Sequence, residues 1–429
     1  MRALYTLLWL LALPWLPLRL WWRGRREPGY RAHVAERFGR YAQEVRPPVL
    51  WLHAVSLGET RAAVPLVERL SRAHPEATLL LTHMTATGRE AGRALFGDRV
   101  VQAWLPYDVP FAVRAFLAHF RPCAGILLET ELWPNLLHCA RATGIPVWLV
   151  NARLSEKSAR GYAWLPSLSR PMMAGMAGLA AVAPADAERF VALGASAPVV
   201  TGNLKFDVDV PDAAMTLGRE LRRRFGARRP VWIAASTRDG EEALILDALA
   251  AHPLPEGALT VIVPRHPQRF AAVADLLARR GVAFARRSEN IDAPSNIGVV
   301  LGDSMGEMLA YCAAADVVFV GGSLLPLGGQ NLIEPIAVGR PTLVGPHMFN
   351  FAEATQRALA AGAAAQVADA ASLVSTVSQL LEDPARRGAM REAALEFHTA
   401  HRGAANRLWA WLAPQLAAAM ASEADARRG

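Results

Sequence analysis

Cysteine is scarce in this chain. Only Cys123, Cys139 and Cys312 occur in 429 residues, with no C-x-x-C pair and no zinc-finger spacing. A disulfide framework is thereby excluded, and the thiols read as buried or free in a reducing compartment. Two glycine signatures are also missing. Neither G-x-G-x-x-G nor G-x-x-x-x-G-K-[ST] is present, so neither a dinucleotide dehydrogenase nor a P-loop enzyme is supported. No arginine-rich helix interleaved with aromatic residues is visible, which argues against nucleic acid as a partner. No fixed-period repeat appears.

What is present is apolar and basic. Hydrophobic residues make up 52% of the chain and charged ones 20%, and the formal charge is +8 with arginine the dominant base. That is a globular composition, and the length exceeds what one ordinary core holds, so two domains are expected. A basic balance suits anionic lipid or phosphorylated substrates.

Residues 3–18 carry no charge; Arg19, Trp21, Trp22, Arg23, Arg25 and Arg26 follow. A full membrane span takes about 20 apolar residues, so the run is marginal. Pro14 and Pro17 weaken it as a continuous helix. The tryptophan pair suits a membrane interface, and the arginines place the rest of the chain on the cytoplasmic side. Each such base near an anionic leaflet contributes roughly 1 kcal/mol. An anchor, spanning or interfacial, is the expectation; no small-residue cleavage pattern supports a signal peptide. The remaining alternative is an apolar helix packed on the protein's own body.

Apolar runs of strand length then alternate with Ala- and Leu-rich helical patterns. The runs are 49–53, 78–82, 100–104, 125–128, 146–150, 179–183 and 198–201, then 231–235, 259–263, 298–301, 316–320 and 341–344. Such alternation predicts βαβ units and parallel sheets buried on both faces. The halves meet near 202–230, where 207–212 is polar and 219–229 holds a run of arginines, either solvated or phosphate-facing. Expected boundaries are 1–26 for the anchor, 27–205 and 206–405 for two Rossmann-like domains, and 406–429 for a C-terminal helix with a frayed end.

Small and polar clusters follow nearly every run, and the carboxyl ends of parallel strands are where ligands bind. The first cluster, Ser56-Leu57-Gly58-Glu59, places a carboxylate at a helix start. Glu129-Thr130-Glu131-Leu132-Trp133-Pro134-Asn135 does so again. In the second half, Ser304-Met305-Gly306 is read as opening a helix able to hold phosphate, and Asn331 to Glu334 as opening another suited to ribose. Plain structural readings compete. Ser56-x-x-Glu59 is a capping box and Asn331-x-x-Glu334 nearly one. Thr85 can be a simple N-cap, Arg265 and His266 a surface turn, and Lys205 a solvated linker residue.

Five motifs taken together carry a resemblance. They are 56–59, 129–135, Gly202-Asn203-Leu204-Lys205-Phe206-Asp207, Pro264-Arg265-His266-Pro267 and Gly329-Gln330-Asn331-Leu332-Ile333-Glu334-Pro335. In this order and spacing the chain closely resembles the 3-deoxy-D-manno-octulosonic acid (Kdo) transferases, from its N-terminus to about residue 400.

The resemblance implies an α/β fold of GT-B architecture: two doubly wound Rossmann-like domains facing a cleft, with an apolar N-terminal anchor. It implies the donor CMP-Kdo, a lipid A precursor (lipid IVA) as acceptor, the cytoplasmic face of the inner membrane, and inverting transfer without metal or other cofactor. Glu59 matches the position of the family's general base, which accepts the proton of the attacking hydroxyl. Glu131 matches a second functional carboxylate, assigned to acceptor positioning or support of the base. On the donor side, the backbone N–H groups of Ser304, Met305 and Gly306 would meet the CMP phosphate. Arg265 and His266 would border cytidine, Asn331 and Glu334 would hold ribose or phosphate, and Lys205 would face the donor's carboxylate or phosphate. Two other readings stand beside this one: a different two-domain nucleotide-sugar enzyme such as a 2-epimerase, and a non-catalytic membrane-surface nucleotide-binding protein.

Overall fold

The computed structural model describes residues 1–25, 27–289 and 296–428. The fourth arginine after the apolar run, Arg26, lies outside the described residues, as does Gly429 at the end expected to fray. Two compact units emerge. One is Met1–Lys205 joined by the C-terminal helix Ala404–Arg428; the other is Phe206–Arg402.

The first unit is built on seven parallel strands: β1 Val49–His53, β2 Thr78–His83, β3 Val101–Trp104, β4 Ala124–Leu128, β5 Val147–Ala152, β6 Gly178–Ala181 and β7 Val199–Val200. Their spatial order is β3-β2-β1-β4-β5-β6-β7. Successive side chains of a strand point to opposite faces. Val49 and Trp51 of β1 therefore enter one core, and Leu50 and Leu52 the other. Two buried faces are why the strands read as continuous apolar runs rather than alternating ones.

The second unit repeats the plan with β8 Val231–Thr237, β9 Leu259–Pro264, β10 Phe284–Arg286, β11 Val299–Leu301, β12 Val317–Val320, β13 Thr342–Val344 and β14 Ala364–Gln366. Its order is β10-β11-β9-β8-β12-β13-β14, again with parallel pairing. The two edge strands, β10 and β14, have no counterpart among the apolar runs of the sequence. Each is three residues long and lacks any β-branched residue, so neither leaves a strand signal to read.

The structure adds three features to the sequence reading. The C-terminal helix is no loose appendage: Leu408, Leu412 and Leu416, spaced four apart, form one stripe in a core of the first unit. Trp148 Nε1 of β5 donates to its Gln415 at 3.0 Å. The helix runs on through Ser422 to Arg428. In the arginine run 219–229, Arg219, Arg223 and Arg228 are exposed, as the solvated reading has it. Arg222 pairs with Asp316 at 2.9 Å just before β12, and Arg229 donates to Ile297 O before β11. Those are the amino ends of the strands.

The apolar N-terminus forms the helix Arg2–Ala12, a short 3-10 turn at Leu13–Trp15 and the helix Leu16–Arg23. Pro14 and Pro17 account for the interruption, each standing in a first turn where its missing N–H costs nothing. Residues Arg2–Arg23 are long and apolar enough to cross a membrane, with a mean hydropathy of 1.5. Leu4, Leu7, Leu8, Leu11, Trp15 and Trp22 are exposed. Leu16 and Leu20 instead pack with Tyr30 and Tyr107 of the first unit.

Candidate acid/base and nucleotide sites

In a doubly wound sheet the ligand crevice opens at the carboxyl ends of the two strands where the winding reverses. In the first unit those strands are β1 and β4, paired with His53 opposite Leu127. The carboxylates singled out in the sequence follow immediately: Glu59 after β1, Glu131 after β4.

Glu59 lies in the first turn of the helix Leu57–Ala62. Ser56 caps that helix, its Oγ accepting from Glu59 N at 3.4 Å. The Glu59 carboxylate reaches back, accepting from Val55 N at 2.7 Å and Ser56 Oγ at 3.0 Å. The capping box is thus real, displaced by one residue from the usual partner, and it aims the carboxylate along the end of β1. Glu59 is 8% exposed. Burial, and secondarily the neighbouring Glu129 charge, push its carboxyl from an ordinary 4.5 up to about 8. A carboxylate so placed binds a proton tightly enough to exchange it near neutral pH.

Glu129 was not assigned a role from the sequence. It directly follows β4 at φ 64°, a left-handed conformation costly for a side chain of this kind. There its carboxylate meets Lys205 Nζ at 2.6 Å. The available signal was a charged residue directly abutting an apolar strand. Lys205 belongs to this group, at the end of the first unit. Its loop is fixed by Asn151 Oδ1 accepting from Leu204 N and Asn203 Oδ1 accepting from Lys205 N. In the structure the Lys205 ammonium, expected to face the donor, is paired with Glu129. Glu131 accepts from Trp133 Nε1 at 2.6 Å and lies 3.7 Å from the buried His53 Nε2. His53 Nδ1 is held by Thr82 Oγ1 at 2.9 Å. Glu59, Glu129, Glu131, His53 and Lys205 thus gather at one sheet end. Thr85 is the plain N-cap the simpler reading expected, accepting from Gly88 N.

In the second unit the winding reverses between β8 and β12. Arg238, Arg265, His266 and Arg269 cluster after β8 and β9, and with burial the three guanidinium charges lower the His266 pKa. Arg265 also acts on Glu334, whose carboxyl is nonetheless raised, chiefly by burial. Asn331 Nδ2 donates to Glu334 Oε1 at 3.1 Å, and Asn331 Oδ1 accepts from Ile333 N at 3.0 Å. The helix is only Ile333–Ala337 with Leu332 as its N-cap, so Asn331 makes a turn ahead of the helix rather than a capping box.

The Ser304–Gly306 segment also differs from expectation. It precedes rather than opens the helix Met308–Ala314, whose N-cap is Glu307. Ser304 Oγ donates to Glu307 Oε2 at 2.6 Å and shares a 2.7 Å hydrogen bond with the Tyr311 hydroxyl. Met305 is exposed. Gly306, at φ 78°, faces open space, so a ligand can approach its backbone.

The other glycines do different work. A Cβ on Gly321 would lie 2.7 Å from Ser236 O, and one on Gly329 would strike Met348. They permit close internal packing. The 322–324 N–H groups are moreover already taken. Buried Glu241, missed in the sequence, accepts from Gly322 N, Ser323 N and Leu324 N at 2.6–3.0 Å, and from Arg238 N at 2.9 Å.

Among the described residues no three His, Cys, Asp or Glu side chains cluster as metal ligands. The triplet Asp207-Val208-Asp209 has D-x-D spelling but lies on the segment entering the helix Asp212–Phe225.

Residues 32–208 match the family model described as 3-deoxy-D-manno-octulosonic-acid transferase (kdotransferase). A 3-deoxy-D-manno-octulosonic acid transferase of Bordetella pertussis is 47% identical over 424 residues, covering 95% of this chain and 97% of that protein. The chain belongs to the Kdo transferase family. A Haemophilus influenzae transferase of the same name is 37% identical, over 97% of this chain and 99% of its own. Family membership makes the protein a glycosyltransferase and sets aside the 2-epimerase alternative. Among solved structures, MurG from Acinetobacter baumannii is 14% identical with a TM-score of 0.52, covering 84% of this chain and 98% of that one. That likeness is one of fold: the Kdo transferase has GT-B architecture, two Rossmann-like doubly wound domains.

Proposed function

We propose that this Kdo transferase moves Kdo from CMP-Kdo to a lipid A precursor, lipid IVA, in lipopolysaccharide biosynthesis, with inversion and with Glu59 as general base. The observation that carries the reading is the desolvated Glu59 carboxylate at the carboxyl end of β1, its pKa lifted to about 8. A base works best when its pKa lies near the operating pH. In the proposed step the acceptor hydroxyl oxygen attacks the anomeric carbon and its proton passes to Glu59. The bond from that carbon to the CMP phosphate oxygen breaks, and the electron pair leaves with CMP.

Glu131, braced by Trp133 and His53, orients the acceptor. Lys205 moderates the negative charge beside the base by pairing with Glu129. On the donor side, Arg265 and His266 border cytidine, Asn331 and Glu334 hold ribose or phosphate, and the open backbone at Ser304, Met305 and Gly306 receives the leaving phosphate. Protein charges supply the electrostatic stabilisation of the leaving group, so the proposed step uses no metal.

The exposed leucines and tryptophans of Arg2–Arg23 support residence at the cytoplasmic face of the inner membrane. With one side packed on the first unit, the segment suits lying in an anionic interface better than crossing it.

The test uses full-length protein in detergent micelles with CMP-Kdo and tetraacylated lipid A precursor, read by mass spectrometry. The expected product gains one or more Kdo masses. No mass gain while CMP still binds would refute the assignment, and counting the added sugars reports how many units are transferred.

A further inference from the structure

The helix Pro134–Ala142 directly follows the Glu129–Trp133 loop, yet its N-cap, Trp133, offers no capping side chain. Its first free N–H groups are satisfied from elsewhere. Asp108 accepts from Asn135 N at 3.0 Å and from Leu136 N at 2.7 Å, and its carbonyl accepts from Asn135 Nδ2 at 2.7 Å. Asp108 and Asn135 are buried. The other end of the Asn135 amide faces the N-terminal helix: its Oδ1 accepts from Thr6 Oγ1 at 3.0 Å and from Arg2 Nη1 at 3.3 Å. The Tyr5 hydroxyl lies close enough to Asp108 for the two to interact electrostatically.

Tyr5 and Thr6 are the only hydroxyl-bearing residues in the uncharged stretch 3–18; Thr6 bonds this node and Tyr5 stands beside it. An anchor alone has no use for them. The apolar contacts of Leu16 and Leu20, and the Trp9 ring 5.8 Å from that of Tyr107, already seat the segment. A hydroxyl on an apolar helix costs free energy unless it is bonded, so its placement marks a specific contact.

From the node the path to the site is short. Pro134 stiffens the entry to the helix, Trp133 Nε1 holds Glu131, and Glu131 faces His53.

We infer that Asp108 and Asn135 are positioning residues that dock the Glu129–Trp133 loop onto the N-terminal helix, so that this helix helps assemble the acid/base site as well as holding the enzyme at the membrane. The inference rests on the reading of Glu59 and Glu131 given above. Loss of the polar contacts from the helix loosens the start of Pro134–Ala142 and lets the loop carboxylates drift, and small displacements of catalytic groups cost large factors in rate.

The test is the full-length double variant Arg2→Ala/Thr6→Val, which keeps the apolar face and leaves Asp108 and Asn135 in place. With saturating acceptor in detergent micelles, kcat is expected to fall at least fivefold. The KM for CMP-Kdo and binding to uncharged phosphatidylcholine vesicles are expected to stay within twofold. Thr6→Ser, which keeps the hydroxyl, is expected to restore most of the rate in the Arg2 background. Hydrogen exchange in a peptide spanning 129–140 is expected to speed up in the double variant. Wild-type kcat, or unchanged exchange in that peptide, overturns the inference. Glu59→Gln measured alongside separates the two readings, since wild-type activity there sinks the base assignment whatever the double variant does.

Discussion

The raised pKa of Glu59 makes turnover a function of pH with a definite sign. Lifting the carboxyl from 4.5 to about 8 corresponds to roughly 5 kcal/mol against the charged form. Only the ionised carboxylate accepts a proton. With a pKa near 8, about a tenth of the enzyme is competent at pH 7, about half at pH 8 and about nine-tenths at pH 9. At saturating donor and acceptor, kcat is expected to climb about tenfold between pH 6 and 7, then bend to a plateau above 8. The assay is a rate profile from pH 5.5 to 9.5 with product quantified by mass spectrometry. Glu59→Gln is expected to lose about 10²–10⁴-fold and to show no such limb. A profile already flat from pH 6 upward, or a Gln variant that retains the limb, refutes the reasoning. Stability gives a second reading of the same group. A carboxyl whose pKa is raised on folding contributes stability fully present below about 4.5 and lost as pH rises through about 8. Wild-type unfolding free energy should therefore decline across that window more steeply than that of Glu59→Gln, measured by urea denaturation at fixed pH values.

Other outcomes follow from the same contacts. Lys205→Met leaves Glu129 without its 2.6 Å cation and adds net negative charge beside Glu59, so the rising limb of the rate profile should move to higher pH; an unmoved limb refutes the coupling. Glu241→Ala leaves the N–H groups of Gly322, Ser323, Leu324 and Arg238 without their acceptor, and urea unfolding should show a loss of about 3 kcal/mol or more. Arg265→Ala should weaken CMP binding in calorimetry by about tenfold, the scale of one charge-assisted contact, while leaving the pH limb in place.

Much of the fold was legible because parallel strands buried on both faces must be apolar throughout. The runs at 49–53 and 231–235 stand out for that reason, and the strands fall there. Glu59 was legible because a strand, a small-residue turn and a carboxylate follow one another within a few positions. The short edge strands at 284–286 and 364–366 were not, since three residues of mixed character carry no period. Glu241 was hidden because its partners lie some 80 residues further along the chain.

The amino-acid sequence by itself determined the class of this protein: alternating strands and helices, an apolar N-terminus interrupted by two prolines, and polar clusters at strand ends that match one transferase family. These are local properties, set by the pattern of neighbouring side chains. Only the tertiary structure decided which clusters share a site. Strand order places β1 beside β4, bringing Glu59 and Glu129 within electrostatic reach across 70 residues of chain, and it hands Lys205 to that pair. It also brought Asp108 onto the start of Pro134–Ala142 and the final helix back onto the first sheet. The physical reason is that pairing and burial act between segments far apart in the chain, where no local pattern records the partner.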